Sequence, residues 1–325
     1  MEKTISKQIR ELILTRFDMD LVGIAAASSL AGEPAGHRPE DLLPGAQSIL
    51  VFGRALADGA VQSQFRAFED RQMSAQSSYA AYAGDLAPNM LLVNDGFQIC
   101  CLLERDYGAL ALLCPFNVTQ SMIPDSVPGM LFADPYGQGM PLDIWKAAWA
   151  AGLGEFGWSS RFLTPAYGPR QMLCAVVTTL ALEPDPVYDG PPLCDPERCG
   201  VCARVCPTKA IPAPDSGHTK TVAAAGCVQT VADLNANACV VAALGLRREF
   251  SGRVPCPDLV MDDDPDDDEL KAAFAKKPIN GLSVEHYPRY LCDRCLVYCP
   301  TGRWKARFSD AGLSRFDPDF PDSAH

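Results

Sequence analysis

Cys194-Asp195-Pro196-Glu197-Arg198-Cys199-Gly200-Val201-Cys202-Ala203-Arg204-Val205-Cys206-Pro207 is the stretch on which the reading of this chain turns. It returns in shortened form as Cys292-Asp293-Arg294-Cys295-Leu296-Val297-Tyr298-Cys299-Pro300. Three thiolates on a tight loop can wrap one corner of an iron–sulfur cube. Where two cubes lie together, the cysteine of the closing Cys-Pro is donated to the other one. That crossover predicts one [4Fe–4S] cluster on Cys194, Cys199, Cys202 and Cys299. The second takes Cys206, Cys292 and Cys295 and needs one more thiolate. Cys227, Cys239 and Cys256 are the candidates, and Cys227 has the most favourable separation from the first string. The competing reading is a pair of four-thiolate zinc sites, and two Cys-x2-Cys-x3-Cys-Pro endings favour the cubes. Ferredoxins usually space the first pair by two residues where this chain has four after Cys194, so Cys194 is the ligand least specified by the pattern.

Working outward, the chain has 325 residues and fourteen cysteines, ten of them between 194 and 299. A disulfide framework suits a small secreted domain, not a chain of this size whose Met1-Glu2-Lys3-Thr4-Ile5-Ser6 start has no export pattern. A reducing, cytoplasmic location is expected, in which such spacing means metal ligation. At 48% apolar and 21% charged residues the composition is globular. No apolar run approaches the ~18 residues of a membrane span. The net charge is −12, but seven acids fall within Asp262–Glu269, and without them −5 remains. This balance argues against non-specific nucleic-acid binding. The acidic run reads as a solvated loop.

Periodicity predicts an amphipathic helix over 4–18, from Ile5, Ile9, Leu12, Ile13 and Phe17. Strands are expected at 21–26, 49–52, 109–114 and 172–182, and helices from Pro88 to Tyr107 and over 142–151. Residues 36–45 read as a loop, and 115–140, rich in Pro, Gly, Asp and Asn, as a long irregular segment. After Glu183-Pro184-Asp185-Pro186 the texture changes to cysteines, prolines and short pieces. The boundaries expected are 1–186 for the first domain, 187–306 for a cluster-binding domain and 307–325 for a tail. Cys100, Cys101, Cys114 and Cys174 lie in apolar elements and read as small core residues.

Gly152-Leu153-Gly154-Glu155-Phe156-Gly157 spells the dinucleotide fingerprint. That fingerprint needs a strand before it and a helix after it. Here a helix precedes and an extended segment follows, so the dinucleotide reading is rejected. Glycines after a helix instead cap it and permit close backbone approach.

Gly152–Gly157, then Leu163-Thr164-Pro165-Ala166-Tyr167-Gly168-Pro169-Arg170, then Leu182-Glu183-Pro184-Asp185 and the two cysteine strings, resemble reductive dehalogenases. Gly36-His37-Arg38-Pro39 and Leu43-Pro44-Gly45-Ala46 are similar to a shorter branch related to epoxyqueuosine reductases. The resemblance covers roughly residues 20–305. It implies an α+β chain: a nitroreductase-like α/β domain binding base-off cobalamin, then a ferredoxin-like domain with two [4Fe–4S] clusters. It puts Gly152, Gly154, Gly157, Thr164, Tyr167, Gly168 and Arg170 near the corrin, and the fourth ligand of the second cluster at Cys227. For the proton donor it implies a Tyr or an Asp upstream of the glycines. The family's Asp falls near Gln138, so Asp134, Tyr136, Asp143 and Lys146 are the candidates. Gly157-Trp158-Ser159 stands where the epoxyqueuosine branch usually has Gly-Lys-His. The activity implied is reductive cleavage of a carbon–halogen or carbon–oxygen bond in a small organic molecule, fed by a low-potential donor such as a ferredoxin or flavodoxin. Two other readings follow: tRNA modification of the epoxyqueuosine reductase kind, and an electron-transfer protein that reduces a partner's corrinoid.

Overall fold

The computed structural model describes residues 2–69, 78–79, 82–83, 90–115, 141–244, 265–266, 268–269 and 292–302. Its centre is a four-stranded antiparallel sheet in the order β1-β2-β6-β3: β1 Leu21–Ala26, β2 Ser48–Ala55, β6 Gln171–Thr178 and β3 Ala111–Cys114. β2 and β6 occupy the middle because their apolar runs can be buried on both faces, as central strands require. Pairing is in register Leu50↔Val176, Val51↔Ala175 and Phe52↔Cys174.

The period-2 alternation divides these residues between two cores. Leu50, Phe52, Cys174 and Val176 face α1 (Glu2–Arg16) and α4 (Leu92–Tyr107), meeting Ile9, Ile13, Ile99 and Leu103. Ile49, Val51, Ala175 and Val177 face α5 (Ile144–Ala150). That second core also takes Ala224 and Val231 of a hairpin, β7 Thr219–Ala224 and β8 Cys227–Ala232. Ala225 and Gly226, both at positive φ, form its two-residue turn. Residues on either side of position 186 therefore share one core.

The α+β expectation holds in its broad form: helices flank an antiparallel sheet. The strands at 21–26 and 49–52 and the helix over 4–18 stand where the sequence puts them. Gly108, at φ 66, ends α4 with its N–H on the Glu104 carbonyl, as its position after Tyr107 predicts. One correction concerns the loop at 36–45, which contains the short helix α2, Pro39–Leu42. Proline at the first helical position and Glu40 and Asp41 in the first turn supply its start. Asp185 ties the second half back to the first: its carboxylate accepts two bonds from Arg10 (2.6 and 2.7 Å) and one from the Ile24 N–H (2.8 Å). Cys100, Cys114 and Cys174 are buried as expected, whereas Cys101 is exposed on α4. Among the described residues no helix is long and apolar enough to cross a membrane. The segment 115–140, beyond Pro115, the tail at 307–325 and most of the acidic run lie outside the described residues.

Candidate cluster-binding site

The two cysteine strings fold alike. In the first, Gly200 at φ 56 starts the one-turn helix α6, Val201–Arg204, which carries Cys202. In the second, Asp293 at φ 41 starts α8, Arg294–Val297, which carries Cys295. The two short helices pack against each other. Between the strings lies α7, Ala236–Leu244, with the Asn235 side chain accepting from the Ala238 N–H (3.0 Å). Cys239 sits in the first turn of α7.

Electrostatics couple the thiols of the two strings, and the grouping is not clean: Cys295 acts on Cys202 more than Cys194, Cys299 or Cys199 does. Burial raises the Cys202 thiol, and the charges of Cys295, Cys194, Cys299 and Cys199 raise it further. Cys194 is pushed up to about 11, mainly by burial and in smaller part by Cys299 and Cys199, although the Trp158 N–H donates to its sulfur at 3.3 Å. Cys194, Cys199, Cys202 and Cys299 are the first predicted quartet. Burial likewise raises Cys239, followed by Cys295, Cys292 and Cys206. Cys292 is pushed up to about 12 by burial, with Cys295 and Cys206 adding to it. Cys239 thus keeps company with Cys206, Cys292 and Cys295, and these four are the second group.

The expected fourth ligand, Cys227, lies in a different core cluster from Cys239. It opens β8 opposite Ala224 and packs against the core beneath the sheet. Cys239 packs with Trp158, Cys206, Ala210 and Cys295. Sequence separation favoured Cys227, but its strand belongs to the hairpin that closes the sheet core. The signal for Cys239 was a helix cap, Asn235, placing a cysteine one turn in. Cys256 lies outside the described residues.

Six of these thiols, Cys194, Cys202, Cys239, Cys292, Cys295 and Cys299, are raised by burial, and thiols gathered in this way are a donor set made for a polycation. Among the described residues, no three His, Cys, Asp or Glu side chains converge as the ligands of one metal ion do. Tetrahedral zinc would hold its sulfurs about 3.8 Å apart, given Zn–S bonds of about 2.3 Å. Soft thiolates in this number suit iron–sulfur clusters.

Around the second group stands an array that the sequence reading missed. Arg161 Nε donates to Cys295 Sγ at 3.2 Å, and its NH2 group donates to Asp293 Oδ1. Tyr79 donates its hydroxyl to Asp293 Oδ2 at 2.9 Å. Gln64 Nε2 donates to the Cys292 carbonyl at 3.2 Å. Burial works against the Arg161 charge, yet Cys295 and Asp293 outweigh it and lift its pKa, so the guanidinium stays cationic. Burial raises the Tyr79 phenol, with Asp293 adding to it, which keeps the phenol a donor.

The residues expected near a corrin have other partners. A Cβ on Gly152 would lie 2.1 Å from the Pro186 carbonyl oxygen, and one on Gly154 1.9 Å from that of Leu163. At Gly157 it would meet the Leu163 side chain at 2.8 Å. Gly168, at φ 59, approaches Thr301, whose oxygen would be 2.2 Å from a Cβ. Thr164 is fully buried, bonded to Gln171 Oε1 (3.3 Å) and the Gly168 carbonyl (3.5 Å). The Tyr167 hydroxyl donates to Asp20 Oδ1 at 3.4 Å. Arg170, drawn down to about 10 by burial, donates to the carbonyls of Leu296 (3.2 Å), Cys299 (2.7 Å) and Thr301. The glycines thus approach the chain's own atoms, and Arg170 holds the second cysteine string. The residues present at the glycine bend do not fit a corrin. The helix before this bend and the strand pair after it (β4 Glu155–Phe156, β5 Phe162–Leu163) bear out the rejection of the dinucleotide reading.

Of the candidate proton donors, Asp143 is the N-cap of α5, its Oδ1 accepting from the N–H groups of Trp145 and Lys146 at 3.0 Å each. Lys146 Nζ is ion-paired with Glu33 at 2.8 and 2.9 Å. Asp134 and Tyr136, like Gln138, lie outside the described residues.

No protein-family model and no curated protein matches the chain. Solved structures similar to it include an epoxyqueuosine reductase from Streptococcus thermophilus, with 15% identity, a TM-score of 0.41, and 65% of this chain matched to 54% of that one. A second epoxyqueuosine reductase, solved with a tRNA stem loop, has 17% identity and a TM-score of 0.41 over 74% of this chain and 58% of that one. A catabolic reductive dehalogenase, NpRdhA, has 17% identity and a TM-score of 0.49 over 99% of this chain and 38% of that one. The chain thus spans little more than half the length of the two reductases. These are the same two kinds of protein that its sequence resembles. A tRNA-bound structure among them leaves the expectation of no nucleic-acid partner without support.

Proposed function

We propose that the chain is a two-cluster iron–sulfur reductase, carrying single electrons to the reductive cleavage of a small organic substrate. The observation that supports this most is the packing of the short helices of the two cysteine strings against each other, which brings Cys202 and Cys295 within each other's electrostatic reach. Bound there, two [4Fe–4S] clusters supply one-electron transfer at potentials set by burial and by hydrogen bonds to sulfur. The chain's residues do the rest. The segment 1–186 supplies the substrate side and 187–306 the cluster side, joined by Arg161 and Arg170. Asp143 and Lys146 are accounted for by the cap and the ion pair, which leaves Asp134 and Tyr136 as proton-donor candidates.

Electrons enter at the first quartet. A groove of about 800 Å³ opens beside Cys199, where Arg198, Arg204 and Lys209 outnumber Glu197 and Asp215, and this suits an acidic donor such as a ferredoxin or flavodoxin. No step is routed through cobalamin, because the bend where it was expected is filled by the chain itself. That same observation favours a second reading, an electron-transfer protein serving a partner's corrinoid.

Anaerobic reconstitution with iron, sulfide and cobalamin tests both. About eight irons per chain, with substrate reduced by the isolated protein, supports the reductase. The same iron content with no corrinoid co-eluting, and with turnover only after a corrinoid partner is added, supports the carrier. Stoichiometric zinc in place of iron sinks both.

A further inference from the structure

One matched position of the two cysteine strings combines a left-handed backbone with a change of residue. Gly200 takes the left-handed backbone at φ 56 in the first, and Asp293 takes it at φ 41 in the second. Glycine adopts that conformation without penalty, whereas aspartate does so at a cost. A non-glycine residue kept in this region points to a use for its side chain. The use is visible: the Asp293 carboxylate receives Tyr79 on one oxygen and Arg161 on the other, and Arg161 in turn donates to the Cys295 sulfur.

The first quartet is served differently. The Cys194 sulfur accepts from a neutral amide, the Trp158 N–H. Arg170 acts on Cys299 through space, while its bond there goes to the Cys299 carbonyl oxygen. Hydrogen bonds from a charged donor are roughly twice as strong as neutral ones. A donor to a cluster sulfur stabilises the reduced form most, because that form carries the extra negative charge.

We propose that Arg161, aimed by Asp293 and Tyr79, is a positioning residue that makes the cube at Cys206, Cys239, Cys292 and Cys295 the easier of the two to reduce. An electron entering at the first quartet then runs downhill to the second. One electron leaves a low-potential one-electron donor and one arrives at the second cube. The step moves an electron only. Asp293 offsets the charge of Arg161, so the pair gives variants of opposite sign. The inference rests on the two-cluster reading.

The test is an anaerobic potentiometric titration followed by electron paramagnetic resonance, with dithionite as reductant. The couple lost in Cys239→Ser identifies the second cube. In Arg161→Gln that couple should move against reduction by at least tenfold in equilibrium constant, about 59 mV for one electron. In Asp293→Asn, which keeps the left-handed backbone, it should move the other way. Arg161→Lys should fall between wild type and Arg161→Gln, and the first cube's couple should stay fixed in all three. Equal movement of both couples, movement of the same sign in Arg161→Gln and Asp293→Asn, or no movement overturns the proposal while leaving the two-cluster reading intact. Should Arg161→Gln lose its iron, Asp293→Asn alone decides by the sign of its shift. A wild-type protein without two cubes overturns the earlier reading, and this one with it.

Discussion

Replacing Gly168 with alanine separates two costs that usually come together. Gly168 has φ 59, and an added Cβ would lie 2.2 Å from the Thr301 oxygen and 3.0 Å from its carbon. Gly108 has φ 66 with nothing within 4 Å of the same position. Both substitutions incur the left-handed penalty of about 1–2 kcal/mol. Gly168→Ala alone also forces the backbone after Cys299-Pro300 outward, an overpacking cost of typically about 1–3 kcal/mol. The expected losses are therefore about 1–2 kcal/mol for Gly108→Ala and about 2–5 kcal/mol for Gly168→Ala. The outward shift also stretches the bond from Arg170 to the Thr301 carbonyl, so the excess falls on the string that carries Cys299. Unfolding of a metal-loaded protein is not a two-state process, so melting alone is a poor measure. The assay is iron release to a chelator under anaerobic conditions, run beside urea unfolding of each variant. Gly168→Ala should release iron faster than wild type, and Gly108→Ala at the wild-type rate. Equal release rates and equal midpoints for the two variants would refute the claim that Gly168 is there to admit Thr301.

Cys239→Ser should halve the reconstituted iron, from about eight to about four per chain, while Cys227→Ser leaves it unchanged; elemental analysis decides. Asp143 gives a pH dependence of stability. Burial lifts its carboxyl to about 6, against the pull of the Lys146 and Trp145 N–H groups. A folded-state pKa above the unfolded one stabilises the fold at low pH, and that advantage is lost as pH rises through about 6. Asp143→Asn keeps the cap acceptor without the charge, so its stability relative to wild type should climb between about pH 4 and 6 and then level, by about 3 kcal/mol. A flat difference in urea midpoints across that window would count against it. Lys146→Met removes the ion-pair cation of the Glu33 carboxylate, which is 5% exposed, and should cost up to about 3–5 kcal/mol. Adding Glu33→Gln should recover most of that loss in a double-mutant cycle.

What was legible in the sequence had local causes. Leu21–Ala26 is an apolar run bounded by polar residues, and its period marks it as a strand wherever it packs. Gly108 after Tyr107 announces a helix end through a conformation that only its own residue controls. The two cysteine strings were legible because their spacing is local. The surroundings of Cys239 were not, since the packing of α7 against Trp158 and Ala210 is set by contacts far apart in the chain. The expectation of a corrin at the glycine bend rested on a related ambiguity. A glycine says that something comes close, and the sequence does not say whether a ligand or the chain itself arrives.

Gly168, Arg170 and Thr301 show how far that ambiguity reaches. In the proposed ligand set Cys299 completes the first quartet, yet it is delivered by the second cysteine string, whose start is held by Tyr79 and Arg161 on Asp293 and whose end is held by Thr301 on the Leu193 carbonyl. Arg170 grips three carbonyls of that string, and Gly168 removes the side chain that would keep it off. Both come from the turn that enters β6, a central strand of the sheet. The first quartet is therefore completed through the core of the first half, and a change at the sheet's end should be felt as iron loss. Arg170→Lys is the sharp case. Lysine keeps a charge near Cys299 but lacks the planar fork that serves several carbonyls at once. If charge alone mattered, Arg170→Lys would hold its iron as wild type does. If the fork sets the string, the variant should lose iron from the first quartet and keep the cube that depends on Cys239.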